Sequence, residues 1–261
     1  MKKNRLRQLL AQKHYRDKVA IRSLSNGLRD SFDRAYDIAK SSITAGIKES
    51  GDRYAMLNEK LKEIEIPEDG PPSEEAQDMF DELGQAMYTI DLDTDALLSL
   101  EEMRVIFTYK TLEKAVREMI GVAFPRVNKK DLFRWEAVKS TLSFYDINIA
   151  YIDGYQEVNQ LRVVNNNIKH TIELNEETKK IPYWKDELEF TPENLSMFYE
   201  VVKDQVAVFA DSLGQAIISN VYEPDAAKVE KFADEMADKL GNKELSLLIK
   251  ALNEKLVQRG G

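Results

Sequence analysis

Three side chains in the segment "LRVVNNNIKH", residues 161–170, have types suited to chemistry on a phosphodiester: Arg162, Asn166 and His170. On an α-helix, which turns by about 100° per residue, positions i, i+4 and i+8 form one polar stripe. Arginine can hold a phosphate and stabilise a charged phosphorane, and histidine can move a proton near neutral pH. Together they are the groups needed for metal-free RNA cleavage, in which the ribose 2′-hydroxyl attacks the adjacent phosphorus. Lys169, beside the stripe, adds a cation that could meet RNA. The same residues admit a purely structural reading. A histidine at a helix C-terminus interacts favourably with the helix dipole, and asparagines satisfy buried polar neighbours.

An element must present this stripe, and the spacing predicts a helix from about Ile147 to Thr171 with Val158, Leu161, Ile168 and Ile172 on a separate apolar face. Across the 261 residues, 43% are hydrophobic and 32% charged, with only 11 Gly and 7 Pro. Long charged segments bearing Leu and Ala with few breakers predict an all-α fold. The absence of cysteine excludes disulfides, thiolate zinc sites and cysteine nucleophiles. Two histidines exclude a His-rich metal centre. No apolar run reaches the roughly 18 residues of a membrane span, and the basic N-terminus lacks a signal-peptide core, so a soluble, cytoplasmic protein is expected. The net charge of -9 argues against a general nucleic-acid coat. Residues 1–30 run the other way, with nine cations against Asp17 and Asp30.

Along the chain, apolar spacing predicts an N-terminal helical hairpin over 1–65, broken at "ESGDR" (49–53). The linker "IPEDGPPSEE" (66–75) cannot continue a helix, and Ser73 is placed to cap the next one. A helical bundle follows over 73–261: a helix from Ser73 to an acidic turn at "DLDTD", a long helix stopped by Pro125, the segment "KKDLFRWEAVKSTLSFY" and the motif helix. An ordered loop around Pro182 and Pro192 then leads to a further helix and two closing helices.

The segments "VIFTYKTLEKAVREMI" (105–120) and "YQEVNQLRVVNNNIKHT" (155–171), with a Trp-bearing helix between them, resemble the HEPN superfamily of helical domains. The resemblance covers about residues 98–220. The superfamily includes ribonuclease toxins, abortive-infection effectors and non-catalytic helical modules, so the resemblance implies a HEPN-like bundle of prokaryotic defence or toxin–antitoxin type. It also implies a homodimer through facing motif helices, RNA as substrate without any cofactor, and an antitoxin or defence component as protein partner. His170 matches the motif's histidine and Asn166 its polar position. Asn165 stands where the motif carries arginine, and Arg162 lies one residue beyond the usual spacing. On this reading His170 is the proton-transfer group, Arg162 the phosphate holder and Asn166 their polar partner. Asn165 and Glu113, on the helix that packs near the motif in the family, support them. Two functions therefore stand open: a metal-independent endoribonuclease, or a catalytically silent dimerisation or protein-interaction module.

A second spacing concerns metal. "DLDTDALLSLEE" places Asp91, Asp93 and Asp95 at positions 1, 3 and 5 and Glu102 at position 12 of an EF-hand-like calcium loop, with Ala96 where the sharp turn needs glycine. The competing reading is an acidic turn that caps the following helix. Trp135, Tyr145, Tyr151 and Tyr155 could stack on bases, or fill the core. His14 stands alone on the basic first helix.

Overall fold

The computed structural model describes residues 2–26, 28, 33–64, 71–171, 173–223 and 226–258. The fold is all-α. Among the described residues there are nine α-helices and no strands: α1 (Lys2–Asn26), α2 (Asp33–Leu61), α3 (Glu74–Ala123), α4 (Trp135–Phe144), α5 (Tyr155–His170), α6 (Glu176–Lys179), α7 (Pro192–Tyr222), α8 (Ala226–Lys239) and α9 (Asn242–Gln258). One antiparallel bridge, Glu173 to Glu189, is the extent of β-pairing in the Pro182–Pro192 region, which otherwise holds one 3-10 turn, Pro182–Trp184, and irregular chain.

Two expected helix breaks are absent. "ESGDR" lies inside α2, and "DLDTD" lies inside the 50-residue α3. Gly51 meets no other atom within 4 Å where a Cβ would sit, so it costs the helix only its intrinsic propensity, about 1 kcal/mol. In α3 the threonines bond backward along their own helix, Thr89 Oγ1 to the Gln85 carbonyl and Thr94 Oγ1 to the Ile90 carbonyl, and so do not compete for a turn. The helix begins where the linker predicts: Ser73 Oγ accepts from the Ala76 N–H at 3.2 Å.

The chain forms two compact units, each from separated segments. The first comprises Met1–Leu28, Leu112–Tyr155 and Val206–Gly261. Its core holds Ile21, Leu112, Met119, Ile120, Leu142, Phe209 and Leu213, all fully buried. Here α1 and α7 approach closely at Gly214, where a Cβ would lie 3.3 Å from the Ser25 Cβ. Ser25 Oγ bonds Asp211 Oδ1 at 3.0 Å beside that contact. The second unit comprises Arg29–Thr111 and Gln156–Gln205. Trp184, fully buried, packs against Phe190 and Phe198 with ring centroids 5.2 and 5.3 Å away. At the start of α7, Thr191 and Asn194 cap reciprocally, each side chain accepting from the other's backbone N–H. Over residues 1–65, the span of the expected helical hairpin, α1 belongs to the first unit and α2 to the second.

Candidate functional site

The helix carrying the motif is α5, entered through Gly154, whose φ of 76° suits glycine in a left-handed turn. Its buried face is Val158, Leu161, Val164, Asn165 and Asn167. Ile168 is half-buried, and Ile172 lies outside the described residues. Two of the three consecutive asparagines therefore point into the protein. Asn167 does so with its amide used on both sides: Nδ2 donates to Thr171 Oγ1 (2.6 Å) and the Glu173 carbonyl (2.8 Å), and Oδ1 accepts from the Asn175 N–H (2.7 Å). These bonds fold the chain back after α5 and deliver Asn175, which caps α6 by accepting from the Thr178 N–H. Asn165 Nδ2 donates to Asn166 Oδ1 at 3.2 Å, while its own buried Oδ1 has no hydrogen-bond partner among the described residues.

The polar edge of α5 is open. Asn166, Lys169 and His170 are exposed, and Arg162 is half-buried. Arg162 is not directed along that edge. Both its Nε and Nη2 donate to Asn159 Oδ1, at 3.2 and 3.1 Å. Asn159 lies one turn toward the N-terminus, the direction in which helical side chains naturally lean. Glu113, expected beside the motif, stands 3.9 Å from Arg117 on its own helix. It belongs to the first unit, whereas Arg162 and His170 belong to the second.

The calcium-loop spacing meets a different backbone. Asp91, Asp93 and Asp95 all lie within α3, where alternate residues sit about 200° apart around the axis and cannot converge on one ion. Among the described residues, no group of three or more His, Asp or Glu side chains is placed to hold a metal. Asp93 faces α2 at Gly46, where an added Cβ would lie 2.7 Å from Asp93 Oδ2. Half-buried Glu102 is pushed above the usual carboxyl range by burial. A raised carboxyl pKa contributes stability below its unfolded value, near pH 4.5, and loses it as pH rises through the folded value. Glu102→Gln is therefore expected to raise the melting temperature at pH 7, by under about 1 kcal/mol of stability, and to have less effect at pH 4, as thermal melts at both pH values will read.

The aromatic candidates divide. Trp135 is buried beside Phe209, Tyr155 faces the same ring, and Tyr145 stacks on Phe124 with centroids 3.6 Å apart. Tyr151 is 84% exposed. His14 meets the Tyr222 ring edge-on at 5.3 Å.

The densest polar constellation lies where the sequence reads as apolar helix. In the second unit, Arg104 of α3 is sandwiched between two tyrosine rings, its guanidinium carbon 3.9 Å from the Tyr36 centroid and 3.7 Å from that of Tyr199. Glu200 Oε1 lies 3.3 Å from Arg104 Nη2, and Asp33 Oδ1 lies 3.8 Å from Nε, beyond hydrogen-bond reach. One turn earlier, buried Glu101 takes the Tyr36 hydroxyl (2.5 Å) and the Lys40 ammonium (2.8 Å) on Oε1. Lys40 also donates to Ser196 Oγ at 3.0 Å. Burial pushes Tyr36 and Tyr199 above the ordinary tyrosine range, with the Glu101 carboxylate adding to the effect at Tyr36. Burial alone would lower Lys40, but its bonds to Glu101 and Tyr36 outweigh it and hold the ammonium up. With side chains 1% exposed at Glu101 and 8% at Arg104, the centre of the cluster is buried and ties α2, α3 and α7 together. The one legible trace is charge at 101 and 104 on the helical face that carries Val105, Thr108 and Leu112.

Comparison with protein-family models, with curated proteins and with solved structures finds no match. Among the described residues, no helix is long and apolar enough to cross a membrane.

Proposed function

We propose that this chain is a helical interaction protein, HEPN-like along α5 and of prokaryotic defence type, acting in the cytoplasm without a nuclease centre of its own. The observation that supports this reading is the direction of Arg162. Its guanidinium is fastened to Asn159. His170 lies eight residues the other way, roughly 12 Å along the helix axis. Cleavage needs the proton-transfer group and the phosphate holder on one phosphodiester, each at hydrogen-bond distance of about 3 Å. Within one chain, Arg162 and His170 do not meet that requirement. At the position where the resemblance expects arginine, Asn165 is fully buried and carries no charge.

RNA binding gives the test. Fluorescence anisotropy with a labelled single-stranded RNA is expected to give the same weak affinity for the native chain, Arg162→Ala and His170→Ala. A loss of tenfold or more in both variants, about 1.4 kcal/mol, overturns the reading. The second reading, a homodimeric metal-independent ribonuclease, draws on one observation: Asn166, Lys169 and His170 share an exposed edge that a second copy could face.

A further inference from the structure

The second unit holds a cleft of 690 Å³ between α2 and the start of α3. Met56, Leu57 and Met79 provide its apolar lining, and Glu74, Glu75 and Asp78 stand at its rim with Lys60 as the one cation among its lining residues. Glu82, also at the rim, is engaged by Arg53 at 2.9 Å. Acids in the first turn of α3 favour the positive end of that helix, which accounts for Glu74 and Glu75 locally. It does not account for an open apolar lining beneath them, with Met56 51% exposed. Methionine linings adapt to the shape of an incoming apolar group, and an acidic rim selects a cationic one.

The same chain carries a segment of that chemistry. In α1, Lys2, Lys3, Arg5, Arg7, Lys13 and Arg16 precede the first acid, Asp17. Leu6, Leu9 and Leu10 fall at i, i+3 and i+4, the spacing of a helix that lays an apolar edge into a groove. Residues 10–16 are all exposed, and within residues 10–26 the first fully buried side chain is Ile21. The N-terminal half of α1 is thus basic and leucine-edged in sequence, with residues 10–16 exposed, in a protein whose net charge is -9.

We infer that the cleft between α2 and α3 receives the N-terminal half of α1 from a second copy of this chain. Exchange in both directions closes a two-fold dimer, in which each contact pairs a cationic helix with an acidic rim over an apolar floor. The inference names a partner for the interaction reading and rests on that reading, but it uses no residue of α5. The RNA experiment can therefore fail while this one succeeds, and the reverse.

A charge swap tests it. One variant carries Lys2→Glu, Lys3→Glu, Arg5→Glu and Arg7→Glu; the other carries Glu74→Lys, Glu75→Lys and Asp78→Lys. Circular dichroism establishes that both remain helical, and sedimentation velocity from about 1 to 100 μM reads association. The native chain is expected to associate with rising concentration, and less so in high salt. Each variant alone is expected to lose self-affinity by at least about tenfold, and an equimolar mixture of the two to recover it, because both contacts in the mixed dimer again pair opposite charges. A native chain that stays monomeric, a variant that associates like the native chain, or a mixture that does not recover would each overturn the inference. A monomer in which α1 fills the cleft of its own chain falls among these overturning results.

Discussion

Arg104→Ala is expected to lower the unfolding free energy by about 3–5 kcal/mol, read as a shift of the urea midpoint at constant slope. The residue is buried, so its removal opens a void between the Tyr36 and Tyr199 rings and forfeits two cation–π contacts. It also takes away the guanidinium that faces the Glu200 and Asp33 carboxylates. Glu200 reports part of this: hydrogen bonding to Lys203 and the Lys203 charge, with a smaller share from Arg104, hold its carboxyl below the usual range against the opposing effect of burial. A lowered carboxyl pKa contributes stability above the unfolded value, near pH 4.5, and loses it as pH falls through the folded value. The Arg104→Ala deficit should therefore narrow in acid. Arg104→Lys retains the charge but not the plane that lies between two rings, and it is expected to recover less than half of the loss. A midpoint unchanged in Arg104→Ala would mean that the cluster does not hold α2, α3 and α7 together.

The second large effect is expected at Asn167. Asn167→Ala removes three hydrogen bonds from a buried position, leaving the Asn175 N–H without its partner and the Glu173 carbonyl with the Thr171 hydroxyl alone, at a cost of about 2–3 kcal/mol. Asn167→Asp keeps the acceptor toward Asn175 but presents an oxygen to the Glu173 carbonyl, so it should not rescue. The neighbouring Asn166→Ala, at an exposed position, removes one acceptor from the buried Asn165 amide and is expected to cost about 1 kcal/mol, less than Asn167→Ala. Urea unfolding of the three variants reads the contrast. Equal losses at 166 and 167 would contradict the division of labour within the asparagine run.

These two positions show what the sequence makes legible. The all-α class follows from composition and apolar spacing because both act on every residue alike. Helix ends were harder to read. "ESGDR" and "DLDTD" carry residues that favour turns locally, yet α2 and α3 pass through them, since Gly51 is unobstructed and Thr94 satisfies itself on its own helix. The stripe of Arg162, Asn166 and His170 follows from helical geometry alone. The direction of the Arg162 guanidinium does not, because its rotamer is settled by a single neighbour, Asn159. The Arg104 cluster is hidden for a related reason: a charge on an apolar helix face reads as surface until α2 and α7 supply two tyrosines and the acids that surround it.

On the proposed reading, Arg162 and His170 of one chain do not act on the same phosphodiester. The most direct measurement is cleavage of labelled RNA in EDTA by the native chain, Arg162→Ala, His170→Ala and an equimolar mixture of the two variants. No cleavage that depends on either residue is expected in any of the four samples. Cleavage by the native chain that disappears in both single variants would contradict it. Its return in the mixture would further place the two groups on opposite copies of a dimer.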